Sequence, residues 1–217
     1  KGLDDRIAAD GMIIGDDILK VDNFLNHQVD PALLCEIGLE IKRLLNDNEI
    51  TKVLTVEASG IAIAAFVALE LGVPFVFAKK YNAKNLDKDV YQSDVFSFTK
   101  KTTYSVRVSK KYINETDKVL IVDDFLAVGG ALNGLIDIVN QANADVVGCA
   151  VAVEKTFQKG GENLRNKGIR VESMAKIKLD SRLQNFLKVH GFHYIRKNLE
   201  VYHMIKLPQP VCNKTKY

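Results

Sequence analysis

Tryptophan is absent from this 217-residue chain, and proline and cysteine are scarce, at four and three residues. The cysteines stand far apart, at Cys35, Cys149 and Cys212, in no C-x-x-C pair. That excludes a disulfide-built secreted scaffold and a cysteine zinc cage, and it reads as thiols in a reducing, cytoplasmic compartment. Long apolar runs are missing too. The longest, Ile61 to Leu69, falls far short of the roughly 20 residues a bilayer helix needs, so no membrane partner is expected. Asp4, Asp5, Asp10, Asp16 and Asp17 crowd the first twenty residues, where a secretory signal would be apolar. Charge of one sign is lacking: the net value is +3, too little to argue for nucleic acid. Few prolines, fourteen glycines and 47% apolar residues exclude collagenous and disordered chains and fit a soluble globular domain.

The charge is uneven. Residues 178–217 hold eight Lys/Arg against Asp180 and Glu200, while the rest of the chain is mildly acidic. This basic extension also carries Phe186, Phe192, Tyr194 and Tyr202, and the histidines of His190-Gly191-Phe192-His193. Their spacing matches no standard zinc site, and a partly ordered extension outside the sheet is the simpler reading than a nucleic-acid surface. Truncation after residues 177–180 is therefore expected to leave the body assembled.

Upstream, periodicity predicts alternating strands and helices. Asp30-Pro31 opens a helix bearing the stripe Leu34, Ile37, Ile41, Leu44 and Leu45. Thr51 to Val56 reads as a buried strand, Gly60 to Leu71 as a helix stopped by Gly72, and Val73 to Ala78 as a strand with Pro74 at its mouth. Residues 79–117 are polar, with weak alternation, and read as an inserted hairpin or flexible loop. Lys118 to Asp124 is the strongest strand, Ala131 to Asn140 a helix, Val146 to Val153 a strand, Glu162 to Lys167 a short helix and Ile169 to Val171 the last strand. Most of these strands are apolar throughout, so the expected fold is α/β, a parallel sheet flanked by helices.

In such a sheet ligands bind beyond the carboxyl ends of the strands. Two strand ends stand out. Val119 to Val122 leads into Asp123-Asp124, then Ala127-Val128-Gly129-Gly130-Ala131 and a helix. Free backbone N–H groups and the helix dipole there suit a phosphate, and paired acids suit sugar hydroxyls, so the spacing fits a ribose phosphate. A capped turn with solvated acids would need neither both acids nor the Gly-Gly turn. The second is Val56-Glu57-Ala58-Ser59-Gly60, a small-residue turn opening directly into a helix, which offers a second anion site. Two such loops imply a ligand with two phosphate ends.

The run from Val119 to Ala131 resembles the ribose-phosphate loop of type I phosphoribosyltransferases. A closer similarity is to the xanthine branch of that family. It is carried by Leu19-Lys20-Val21-Asp22 with Phe24-Leu25-Asn26-His27-Gln28, by Glu57-Ala58-Ser59-Gly60-Ile61-Ala62, by Phe77-Ala78-Lys79-Lys80, by Ser97-Phe98-Thr99-Lys100 and by Glu154-Lys155-Thr156-Phe157-Gln158. It covers roughly residues 3–177. The resemblance implies a phosphoribosyltransferase domain over 1–177, with a hood from 1–30 and a flexible loop at 79–117 closing over the site, followed by the 178–217 extension. It implies transfer of a 5-phosphoribosyl group from phosphoribosyl pyrophosphate to N9 of xanthine, giving xanthosine monophosphate and pyrophosphate in purine salvage, by a homodimer. Mg²⁺ is implied as a companion of the phosphoribosyl pyrophosphate, with no metal cage of the protein's own.

By the same likeness Ala127, Val128, Gly129, Gly130 and Ala131 hold the 5′-phosphate, and Asp123 and Asp124 sit by the ribose. Ala58, Ser59 and Gly60 cradle pyrophosphate with Lys79 and Lys80, the lysines across a dimer interface, and Leu19, Asn26 and Lys155 line the base site. Chemistry agrees for the base. Lys155 only donates and suits O6 of a 6-oxopurine; Asn26 is expected to donate to O2 of xanthine. Val128 departs from the family's usual polar residue, at a cost of about 1 kcal/mol for one missing hydrogen bond. The same fold also admits guanine, hypoxanthine or adenine as the base, or a phosphoribosyl-pyrophosphate sensor that binds DNA, but the residues before the first long helix are too few for a DNA-binding domain.

Overall fold

The computed structural model describes residues 3–14, 18–81, 89–97, 101–178 and 201–202. Its centre is a parallel five-stranded sheet: β3 (Lys52–Val56), β4 (Phe75–Tyr81), β7 (Lys118–Leu126), β8 (Asp145–Lys155) and β9 (Val171–Ile177), in the order β9-β8-β7-β3-β4. Antiparallel strands extend both edges. β6 (Thr102–Ser109) pairs with β4 and with β5 (Val90–Ser97), and β10 (Val201–Tyr202) pairs with β9.

Two apolar layers sandwich this sheet. On one face lie α1 (Leu3–Asp10), α2 (Pro31–Leu44) and α3 (Gly60–Leu71), burying Leu34, Ile37, Ile41, Ile63 and Val67 against Val53, Leu120 and Val122. On the other, α4 (Gly130–Gln141) buries Leu132, Leu135 and Ile138 against Leu54, Ile121 and Val151, with Val95 and Val106 of the hairpin beside them. The helix starts follow the expected chemistry: Asp30 caps α2 by accepting from the N–H groups of Ala32 and Leu33 at 3.1 and 3.3 Å. A short antiparallel pair, β1 (Met12–Ile14) with β2 (Ile18–Lys20), and a π-helical turn at Asp22–Asn26 build the N-terminal hood.

Within residues 79–117, β5 and β6 form the inserted hairpin. Its polar residues satisfy each other across the strands, as in Arg107 Nε to Gln92 at 2.6 Å and Ser105 to Asp94 at 2.6 Å. Residues 82–88 and 98–100, on which part of the expected closing loop falls, lie outside the described residues. The last strand of the body begins at Val171 and not at Ile169. Its inward Val171, Ser173, Ala175 and Ile177 alternate with polar or larger residues, so it lacks a continuous apolar run. Finally, the C-terminal extension is not wholly outside the sheet: Val201 and Tyr202 pair with Ile177 and Lys176. The remainder of 179–217, with Phe186, Phe192, Tyr194 and the histidines singled out above, lies outside the described residues.

Candidate active site

The site is built at the carboxyl ends of β3, β7 and β8. The expectation that β7 ends at its two acids is corrected: the strand runs through them to Leu126, pairing Asp123 with Val151 and Leu126 with Glu154 of β8. The pleat turns the two side chains apart. Asp124 faces the hood, where Asn26 Nδ2 donates to its Oδ2 at 3.4 Å. Asp123 faces the hairpin side, close to Lys80, Tyr104 and Cys149. Both acids are buried.

Burial pushes the Asp123 carboxyl well above the usual carboxylate range, and the Asp124 charge adds to the rise, against a smaller opposing pull from Lys80. Burial, and then the Asp123 carboxylate, push the Cys149 thiol up to about 12, so this cysteine is an inert core residue. A carboxyl with a raised folded pKa favours the fold most below its unfolded value, near 3.9. That advantage is lost as pH rises toward the folded value. Asp123→Asn is thus expected to raise the melting temperature by roughly 3 °C or more at pH 7, about 1 kcal/mol in a chain of this size. The gain should shrink toward pH 4. Melting curves across pH check this; equal pH slopes in the two proteins would remove the reading.

The first loop, Ala127 to Gly129, swings into α4. Gly129 has φ +88°, a backbone that favours glycine, and its carbonyl accepts from Asn133 Nδ2 at 2.7 Å. Gly130 opens the helix, so the N–H groups of its first turn lack partners within the helix ladder. Val128 is exposed at the loop tip.

At the second loop, Ser59 precedes α3 and its side chain makes no capping bond. A Cβ at Gly60 would strike Thr55 Oγ1 and lie 3.0 Å from Asp123 Oδ1, so this loop abuts the acid pair. Thr55 is buried in β3 and its hydroxyl has no partner. Sequence reading passed over Thr55, because a threonine in a β-branched run looks like strand filling. Its unsatisfied hydroxyl beside Gly60 is the signal that marks it.

Lys79 and Lys80 part company. Lys80 lies on the site side: its N–H donates to Glu57 at 2.6 Å and its ammonium sits 5.5 Å from the centre of the Tyr104 ring. Lys79 points to the opposite face of β4 and lines a groove of about 590 Å³ with Phe75, Phe77, Tyr81 and Arg107. The structure therefore does not bring Lys79 to the acid pair of its own chain.

In the base region, Lys155 at the end of β8 is half-buried, with its ammonium 5.5 Å from the centre of the Phe125 ring. Asn26 stands at the end of the π-helical turn of the hood. Its NH₂ donates to Asp124 Oδ2, and its buried Oδ1 has no partner. Leu19 lies on β2, where side chains fall outside the described residues. Among the described residues no three His, Cys, Asp or Glu side chains gather as a metal site, and no helix is long and apolar enough to cross a membrane.

Two helix N-termini flanking a buried acid pair, at the carboxyl edge of a parallel sheet, define a site for a sugar bearing two phosphate ends. The chain belongs to the phosphoribosyltransferase family: the model of the phosphoribosyl transferase domain matches residues 29–185. It is 58% identical over 170 residues to a xanthine phosphoribosyltransferase of Clostridium novyi, covering 78% of this chain and 90% of the relative. It is 52% identical to the enzyme of that name from Latilactobacillus sakei, covering 81% and 90%. The fold is similar to a solved adenine phosphoribosyltransferase of Giardia lamblia in complex with 9-deazaadenine, with a TM-score of 0.67, 27% identity, and coverage of 80% of this chain and 96% of that one.

Proposed function

We infer that this protein is a xanthine phosphoribosyltransferase of purine salvage. The C1–oxygen bond of phosphoribosyl pyrophosphate breaks as pyrophosphate leaves, N9 of xanthine bonds to C1, and the base gives up one proton. The observation that carries the reading is the Asn26–Asp124 contact, which joins the hood to the acid pair and so sets the base beside the ribose. High identity to curated xanthine enzymes supports xanthine over the adenine used by the more distant structural neighbour.

Each group then has a task. The N–H groups of Gly129 to Ala131 hold the 5′-phosphate, and those of Ala58 to Gly60, with Thr55 and Lys80, hold pyrophosphate. Charge grows on the leaving pyrophosphate, so donors aimed there act most strongly in the transition state. Asp123 and Asp124 hold the ribose hydroxyls, and Asp124 lies within reach of the base that loses its proton. Asn26 Oδ1 accepts from a ring N–H of the base, and Lys155 donates to O6. Mg²⁺, a hard cation, would be held by substrate oxygens and waters. Arriving with the substrate, it would neutralise charge on the departing pyrophosphate. Initial rates with xanthine, guanine, hypoxanthine and adenine test the proposal, and turnover of xanthine slower than of adenine would overturn it.

A homodimer is part of this proposal. Leu69 on α3 and Phe77 and Tyr81 on β4 are exposed apolar residues, beside the groove that holds Lys79. A second copy covering this face would hide apolar surface that a monomer rarely exposes. It would also let Lys79 serve the partner's pyrophosphate, which its own strand forbids. Sedimentation equilibrium is expected to return about twice the 24.2 kDa chain mass, and Phe77→Glu to return the single mass. A monomeric wild type would overturn the dimer. The protein is proposed to act in the cytoplasm.

A further inference from the structure

Glu154 is a buried carboxylate at the end of β8 that the chemistry above does not use; it is 2% exposed. Arg165 of α5 (Gly160–Asn166) grips it through a planar fork, Nη1 to Oε1 at 2.8 Å and Nη2 to Oε2 at 2.7 Å. Ser173 of β9 donates a third bond at 2.5 Å. Arg165 also donates to the Val171 carbonyl at 3.1 Å. Burial alone would push the Glu154 carboxyl up, but the Arg165 and Ser173 bonds hold it below its usual range. It stays an anion.

α5 spans barely two turns, too short to hold its own shape. It is wedged between this clamp and the phosphate loop. Any side chain at Gly161 would overlap the Glu154 carboxylate. A Cβ at Gly160 would strike the Ala127 carbonyl and lie 2.8 Å from the Gly129 nitrogen. Gly160 N–H in fact donates to that carbonyl at 3.1 Å. Past the far end of the helix, Lys167 Nζ donates to Asn133 Oδ1 at 3.0 Å, and Asn133 in turn holds the Gly129 carbonyl. The phosphate loop thus leans on α5 at both ends. The same clamp fixes the residue just before Lys155.

We propose that Arg165 is a positioning residue which, through Glu154, aims the phosphate loop and Lys155 together. Buried ion pairs add little net stability compared with apolar residues of similar size. What this one adds is direction: a fork bonded to two carboxylate oxygens sets the rotation of α5. The helix carries that setting to Ala127 and Gly129, and the strand carries it to Lys155. Both ligands are held from the ground state onward, so losing the aim weakens binding of each more than it slows the chemical step.

The proposal rests on the site reading given above, and the test separates the two. The full-length protein is compared with Arg165→Lys, and with Glu154→Met/Arg165→Met, in which the pair is replaced by apolar side chains and folding is retained by packing. Melting temperature, kcat, and KM for xanthine and for phosphoribosyl pyrophosphate are measured, with calorimetric Kd for phosphoribosyl pyrophosphate alone. The double variant is expected to melt near the wild-type temperature, with both KM values raised about 10-fold and kcat changed less than about 3-fold. Arg165→Lys, which keeps the charge but not the fork, should fall between. A folded variant with wild-type KM for either substrate, or with lost binding that returns as melting temperature returns, overturns the role of Arg165. Should the wild type bind phosphoribosyl pyrophosphate yet ignore xanthine, the base assignment fails alone, and an unchanged calorimetric Kd in the variants would still overturn the positioning role.

Discussion

Asp124→Ala is expected to lower turnover by about 100-fold or more, the scale on which a positioned acid–base group acts. Asp124 is the acid that faces the hood, and it is the partner of the Asn26 amide. Removing it takes away the proposed ribose contact and the proposed neighbour of the base proton, and frees Asn26 to rotate. KM for xanthine should therefore rise as kcat falls. Asp124 Oδ1 also accepts from the N–H of Phe125 at 2.9 Å, so Asp124→Asn serves as the control that keeps size and one acceptor. Wild-type turnover in both variants would sink the assignment.

Base choice carries the second large effect. Xanthine presents O6, and N–H groups at positions 1 and 3. Adenine presents an amine at position 6 and bare acceptor nitrogens at 1 and 3. Lys155 can only donate, and Asn26, whose NH₂ is taken up by Asp124, is proposed to meet the base with its oxygen. Adenine would set donor against donor at Lys155 and acceptor against acceptor at Asn26. Each buried group left unsatisfied costs about 1–3 kcal/mol, more when charged. The expected preference in kcat/KM is at least ~10²-fold for xanthine over adenine. Hypoxanthine and guanine keep O6 but lack the N3–H, and should fall between. Asn26→Ala should narrow the gap between xanthine and hypoxanthine, and Lys155→Ala should weaken every 6-oxopurine. Equal use of adenine and xanthine would remove the base-site assignment and leave the transferase standing.

Local pattern carried the parallel core. Val119 to Val122 is apolar without a break because both its faces are covered, and the Asp30-Pro31 start of α2 is chemistry written in two adjacent residues. β5, β6 and β9 were hard to read for the opposite reason: polar residues in them pair across strands, as Gln92 does with Arg107 and Ser173 with Glu154. Within the site, motifs contiguous in the chain were legible, whereas contributions assembled in space were not. Adjacent Lys79 and Lys80 look alike in sequence, yet a strand sends neighbours to opposite faces. Thr55, Gly160 and Arg165 matter through what they touch across the fold, which their places in an ordinary strand and a short helix do not announce.

The pleat of β7 has a consequence for how such enzymes change substrates. Because Asp124 faces the hood and Asp123 the hairpin, consecutive residues of one strand serve two neighbourhoods. On the proposed assignment, the base side can be rewritten in the first thirty positions and around Lys155 while the side that handles the sugar's leaving group is left alone. A family that accepts adenine in one lineage and xanthine in another needs that kind of separability. In this chain it comes from nothing more than two consecutive acids in an extended strand.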